Sequence, residues 1–284
     1  YAFQHRRYWP GATAAPGDVR SAGLGAAGHP LLGAAVAFPD GAGALLTGRL
    51  SASAQPWLAD HTVAGTVVLP GTALLELAVR AGDEVGCTGV EELTLATPLT
   101  LPTAGGAVTV QVRAGADDGS GRRPVTVHAR PEGSDEWTEH ATGTLTTLAP
   151  GPVRFDATTW PPTGAAELDV EGCYERFAEA GFGYGPVFRG LTGAWRDGDT
   201  VYAEVSLPDP DTTAEDAARF GLHPALLDAA LHAALLTGDG AAGLPWAWED
   251  VTLHAAGATA LRVRLAPATD GGGLAVAVAD PEGR

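Results

Sequence analysis

The residues best suited to move protons in this chain are His61, Asp228 and Tyr184. His61 lies in WLADHTVAGTVVLPGTALLELAVRA (57–81), ahead of Gly65 and Pro70. An imidazole exchanges protons readily near neutral pH, so His61 is a candidate general base. A backbone N–H near Gly65 could then point at something bound beside the ring, as an oxyanion site requires. Asp228 sits in the almost wholly apolar run ALLDAALHAALL. A carboxylate there is costly unless paired or neutral. His232 follows four residues later, on the same helical face. The bland reading is a hydrogen-bonded pair inside the core; the functional one has Asp228 facing a ligand as a proton donor. Tyr184 stands in GFGYGPVFRG (181–190), where Gly185 and Pro186 tighten the loop around its hydroxyl. Taken alone, that loop reads as a glycine-rich turn. Leu244, Pro245, Trp246 and Trp248 (LPWAW) suit the wall of a channel better than catalysis.

These side chains need elements to hold them. Leu74, Leu77, Ala78 and Ala81 recur at i, i+3, i+4, i+7, which predicts a helix over 72–81, with Thr72 as N-cap after Pro70 and Gly71 break the preceding run. HPLLGAAVAF (29–38) and GALLTGRLS (43–51) suggest a hairpin. Val108, Val110 and Val112 alternate with polar residues, the period of a half-buried strand. Further strands are expected over 90–102, 123–131 and 136–148. Pro150, Pro152, Pro161 and Pro162 mark a connector. The second half repeats the plan: a short helix at 173–181, a hairpin around Asp197-Gly198-Asp199, a long apolar helix over 222–236 and three closing strands. The expected organisation is a first subdomain over 1–150 (its residues 1–28 linker-like), a connector over 151–166 and a second subdomain over 167–284. Each holds one long helix against an antiparallel sheet, an α+β arrangement.

Bulk composition narrows the chemistry. A net charge of -17 argues against nucleic acid, which needs clustered Lys and Arg. No apolar run reaches membrane-spanning length, so no membrane partner is expected. The two cysteines, Cys87 and Cys173, have no metal spacing and suit a reducing cytoplasm. The remaining histidines are scattered, with no HExxH, and no nucleophile elbow, P-loop or dinucleotide fingerprint occurs. The chain opens with YAFQHRRYWP and contains no Met, which reads as a piece of a longer polypeptide.

In order, His61-x-x-x-Gly65-x-x-x-x-Pro70, Tyr184-Gly185-Pro186, Asp228-x-x-x-His232 and LPWAW resemble the motifs of the dehydratase domain of modular type I polyketide synthases. HPLLG (29–33), GRLS (48–51), WLADH (57–61), PGTALLELA (70–78) and LHPALLDAALHA (222–233) match that family's wording, and the opening resembles a post-acyltransferase linker. Trp246 stands where Phe is more usual, and His232 at a position that varies between Gln and His. The resemblance implies a double hotdog fold, with one further strand expected beyond DPEGR. It implies loss of water from a β-hydroxyacyl thioester on the phosphopantetheine arm of an acyl carrier protein. His61 would be the base and Asp228 the acid, with His232 orienting Asp228, Tyr184 placing the hydroxyl and Pro70 shaping a turn. No metal or soluble cofactor is implied; neighbouring synthase domains and a homodimer are. The weighed alternatives are a double-bond isomerase or cyclising variant, a catalytically silent dimerisation domain and a hotdog thioesterase. The retained Asp228 disfavours the first, and retention of both His61 and Asp228 the second.

Overall fold

The computed structural model describes residues 18–102, 105–148, 151, 155–208, 215–237, 245–269 and 272–283. Its centre is helix α1 (Gly71–Val85), whose Leu74, Leu77, Ala78 and Ala81 are all buried. The helix runs past the predicted end because Asp83 and Glu84 fall outside the core face. It stops at Gly86, whose left-handed φ of 75° lets its N–H cap the carbonyls of Gly82 and Asp83. Thr72 is not the cap. Pro70 takes that place, and the Thr72 hydroxyl donates to the Pro224 carbonyl at 2.9 Å.

An antiparallel sheet wraps α1. It contains β1 (Gly25–His29), β2 (Leu32–Ala37), β3 (Ala44–Leu50), β6 (Gly89–Leu95), β7 (Val108–Ala114), β8 (Arg122–Pro131), β9 (Thr138–Thr146) and β14 (Ala247–Thr252). The order is β1-β2-β3-β7-β8-β9-β6-β14. Val108, Val110 and Val112 turn inward as their alternation predicts. A second sheet, β10-β12-β13-β15-β16, holds β10 (Ala166–Leu168), β12 (Leu191–Asp197), β13 (Thr200–Ser206), β15 (Ala260–Pro267) and β16 (Leu274–Ala279). It packs on helix α3 (Pro224–Leu235). Helix α2 (Cys173–Glu179) precedes β11 (Phe182–Tyr184), which joins β4 (His61–Val63) and β5 (Thr66–Val67) in a small third sheet.

The double hotdog is therefore present, with boundaries less tidy than the sequence suggests. The linker-like stretch includes regular structure: residues 19–22 form a 3-10 turn, and β1 starts at Gly25. The Gly/Ala-rich β1 lacks the β-branched residues that advertise a strand. β14, expected in the second lobe, instead extends the first sheet by pairing with β6. A strand's partner is a tertiary choice that local pattern does not encode. One continuous apolar core joins both helices.

Candidate active site

Each functional side chain is placed by a different device. His61 opens β4, and β11 pairs antiparallel with it so that Tyr184 lies directly opposite His61. Facing residues of neighbouring strands project on one side of a sheet, so the pairing itself brings phenol and imidazole together. Their ring centroids are 5.7 Å apart, and Phe188 packs on His61 from 5.2 Å. Asp60 fastens the junction. Its carbonyl accepts the Gly185 N–H at 2.7 Å and its carboxylate the Val187 N–H at 3.0 Å. A Cβ at Gly185 would run into that carboxylate, which explains the glycine. Pro186 opens the 3-10 turn that follows, Pro186–Phe188.

His61 is almost fully buried, and its Nδ1 lies 2.7 Å from the Val68 carbonyl. A carbonyl can only accept, so Nδ1 carries the ring proton and Nε2 presents a lone pair. That Nε2 stands 4.0 Å from Asp228 Oδ2. Asp228 projects from α3, a helix buried nearly all round, which starts with Pro224 at a position where its missing N–H costs nothing. One turn on, His232 Nε2 lies 3.0 Å from the same Oδ2. The hydrogen-bonded Asp228–His232 pair of the bland reading is present, and the same Oδ2 also faces His61. Burial pushes the Tyr184 hydroxyl well above the usual phenol range, so it stays protonated.

Other sequence candidates fall elsewhere. Ala64 and Gly65 both have positive φ (48° and 77°), the turn that joins a two-residue hairpin. Gly65 is exposed at its tip, about 10 Å along the strand from His61. Its glycine answers a backbone requirement. Pro70 is buried at the start of α1. Leu244 lies outside the described residues. Pro245 approaches Gly71, and Trp248 packs on the core. Trp246 is 70% exposed, and its carbonyl accepts the Leu95 N–H.

Comparison with known proteins shows the family. The polyketide synthase dehydratase domain model matches residues 29–130, and the model described as the polyketide synthase dehydratase N-terminal domain matches 152–283. The pikromycin polyketide synthase component PikAII of Streptomyces venezuelae is 58% identical over 94% of the chain. This chain belongs to the polyketide synthase dehydratase family. Polyketide synthase GfsA of Streptomyces halstedii is 56% identical over all of it. The chain spans only 7% and 4% of those two relatives. The solved dehydratase domain from the terminal module of the rifamycin polyketide synthase superposes with a TM-score of 0.87 at 45% identity, covering 94% of this chain and 95% of that one.

Around this candidate site, some residues carry no obvious sequence signal. The Val68 carbonyl is backbone and has no residue-type signature. Asp60 was visible only as a neighbour of His61 in WLADH. Tyr174, on α2, places its hydroxyl 3.5 Å from His232 Nδ1. Its spacing of ten residues from Tyr184 was the one available hint.

Proposed function

We propose that this dehydratase domain removes water from a β-hydroxyacyl thioester carried on an acyl carrier protein, acting as a hydro-lyase with His61 as base and Asp228 as acid. The supporting observation is the 4.0 Å approach of His61 Nε2, its lone pair free, to Asp228 Oδ2. His61 Nε2 takes the α-hydrogen as a proton. The C–H electron pair becomes the second bond between Cα and Cβ. The Cβ–O bond breaks, and the hydroxyl leaves as water with the proton of Asp228. Imidazolium and carboxylate are then neighbours, so returning the proton from one to the other resets the site. Each role is worth roughly 10²–10⁴-fold.

As the α-proton leaves, charge gathers on the thioester oxygen. The Gly71 and Thr72 N–H groups, in the first turn of α1 where no intrahelical carbonyl reaches them, are the proposed stabilisers in place of Gly65. Tyr184 directs the departing hydroxyl, and His232 orients Asp228. No metal or soluble cofactor enters the scheme. The carrier's phosphopantetheine arm delivers the substrate, and neighbouring synthase domains and a second copy of the chain are the expected partners. Among the described residues no helix is long and apolar enough to cross a membrane.

The spacing of the pair also bears on stereochemistry. An acyl chain passing between base and acid would hold them about two van der Waals separations apart, roughly 7–8 Å. At 4.0 Å both groups must address it from one side, so hydrogen and hydroxyl leave from the same face.

Intact-mass measurement of a β-hydroxyacyl carrier protein after incubation with the chain tests this reading. Loss of one water is expected. An unchanged mass would favour an isomerase or a silent spacer, and release of the acyl chain would indicate hydrolysis.

A further inference from the structure

The hydroxyl of Tyr174 is buried in the first turn of α2 beside the ring of His232, centroid to centroid 5.6 Å. It accepts the Leu191 N–H at 2.9 Å. Its own proton then needs an acceptor, and His232 Nδ1 lies 3.5 Å away, a long hydrogen bond. Burial drives the Tyr174 hydroxyl far above the usual phenol range, so it is always present as a donor.

The consequence falls on Asp228. A neutral imidazole has one N–H and one lone pair. If Nδ1 accepts from Tyr174, the ring proton sits on Nε2, which donates to Asp228 Oδ2 at 3.0 Å. A carboxyl proton is then left on the oxygen that His232 does not hold. In the opposite tautomer, Nε2 would turn its lone pair on Oδ2 and draw the carboxyl proton toward His232. Nδ1–H would then share the phenol oxygen with the Leu191 N–H, and the phenol's own proton would lose His232 as its acceptor.

We propose that Tyr174 is a positioning residue of the dehydration site: by donating to His232 Nδ1 it holds His232 in the Nε2–H tautomer, which keeps the proton of Asp228 available to the leaving hydroxyl. The inference rests on the reading of Asp228 as the acid, but its first test does not. Nitrogen-15 NMR of the histidine-labelled chain reports the tautomer directly. The wild type is expected to show His232 as Nε2–H, and Tyr174→Phe to shift it toward a mixture or the Nδ1–H form. A wild-type Nδ1–H signal, or an unchanged tautomer in Tyr174→Phe, overturns the proposal whether or not the chain dehydrates anything.

Kinetics supply the second test. Tyr174→Phe should lower kcat about tenfold with KM unchanged, about 1.4 kcal/mol of barrier. Placed on His232→Ala it should cause no further loss, because Tyr174 would have nothing left to act through. Equal losses in both backgrounds would make Tyr174 a packing residue only and contradict the proposal. If dehydration is absent throughout while the tautomer behaves as expected, the functional reading fails and the hydrogen-bond assignment stands.

Discussion

Among the described residues two buried carboxylates, Glu76 and Asp228, face histidines, and their hydrogen bonding differs. In the first pair, Glu76 of α1 lies 3.3 Å from His29 Nε2 and accepts the N–H groups of Gly221 at 2.7 Å and Leu222 at 3.1 Å. His29 Nδ1 accepts the Leu31 N–H, so its ring must donate to Glu76 through Nε2. Every ring nitrogen is occupied, and both carboxylate oxygens are clamped to the segment leading into α3. Such a carboxylate is a bracket between the two halves. In the second pair, Asp228 has one hydrogen bond among the described residues, to His232, and His61 Nε2 stands off at 4.0 Å without bonding it. Burial is similar in both; hydrogen-bond saturation separates them. A saturated carboxylate holds structure, whereas the proposed chemistry needs one, like Asp228, with hydrogen-bonding capacity left for a substrate.

Substitutions should separate the pairs in the same way. His61→Ala and Asp228→Asn are expected to cut single-turnover dehydration by roughly 10³-fold or more while leaving thermal melting near wild type. Near-normal turnover in either would remove the role assigned to that residue. Glu76→Ala should do the reverse, costing about 3–5 kcal/mol in urea denaturation because it strands a histidine and two backbone N–H groups. Turnover per folded molecule should persist. If Glu76→Ala abolished chemistry at unchanged stability, the division drawn above would be wrong.

His223 sharpens the comparison through pH. It caps α3, its Nδ1 accepting the Ala225 N–H, and burial lowers its pKa to about 4, partly opposed by Asp216. The unfolded chain therefore takes up this proton as pH falls through about 6.5, whereas the native chain waits until about 4. Stability present above pH 6.5 is lost across that window, by roughly 2 kcal/mol between pH 7 and pH 5. His140, also lowered by burial, acts in the same direction. His223→Asn keeps an N-cap acceptor without titrating, so its urea midpoint should depend less on pH. An undiminished dependence would assign the effect to other groups. The smallest change is expected of Tyr184→Phe, about a tenfold loss in kcat, or about 1.4 kcal/mol. A loss matching His61→Ala would raise Tyr184 to equal rank.

Much of this was legible in the residues themselves. The 3.6 period around Leu77 and the alternation at Val110 specify helix and strand locally, and His61, Tyr184, Asp228 and His232 stand out through their order and neighbours rather than singly. What stayed hidden depended on partners far away in sequence. β14 reads as a strand, yet nothing in it names β6 as its neighbour. Gly65 reads as a donor site and occupies a positive-φ turn. Trp246 reads as a wall residue and is largely exposed. The carbonyl that fixes the His61 tautomer and the phenol that faces His232 acquire their meaning only when separate segments meet.

The one-sided placement of His61 and Asp228 can be tested with β-hydroxyacyl carrier proteins carrying deuterium stereospecifically at the α-carbon, with the enoyl product read by mass and by alkene geometry. Loss of the label only when it shares a face with the departing hydroxyl is the expected result. Removal of the hydrogen from the opposite face would require base and acid to flank the chain, and would contradict a 4.0 Å pair acting together.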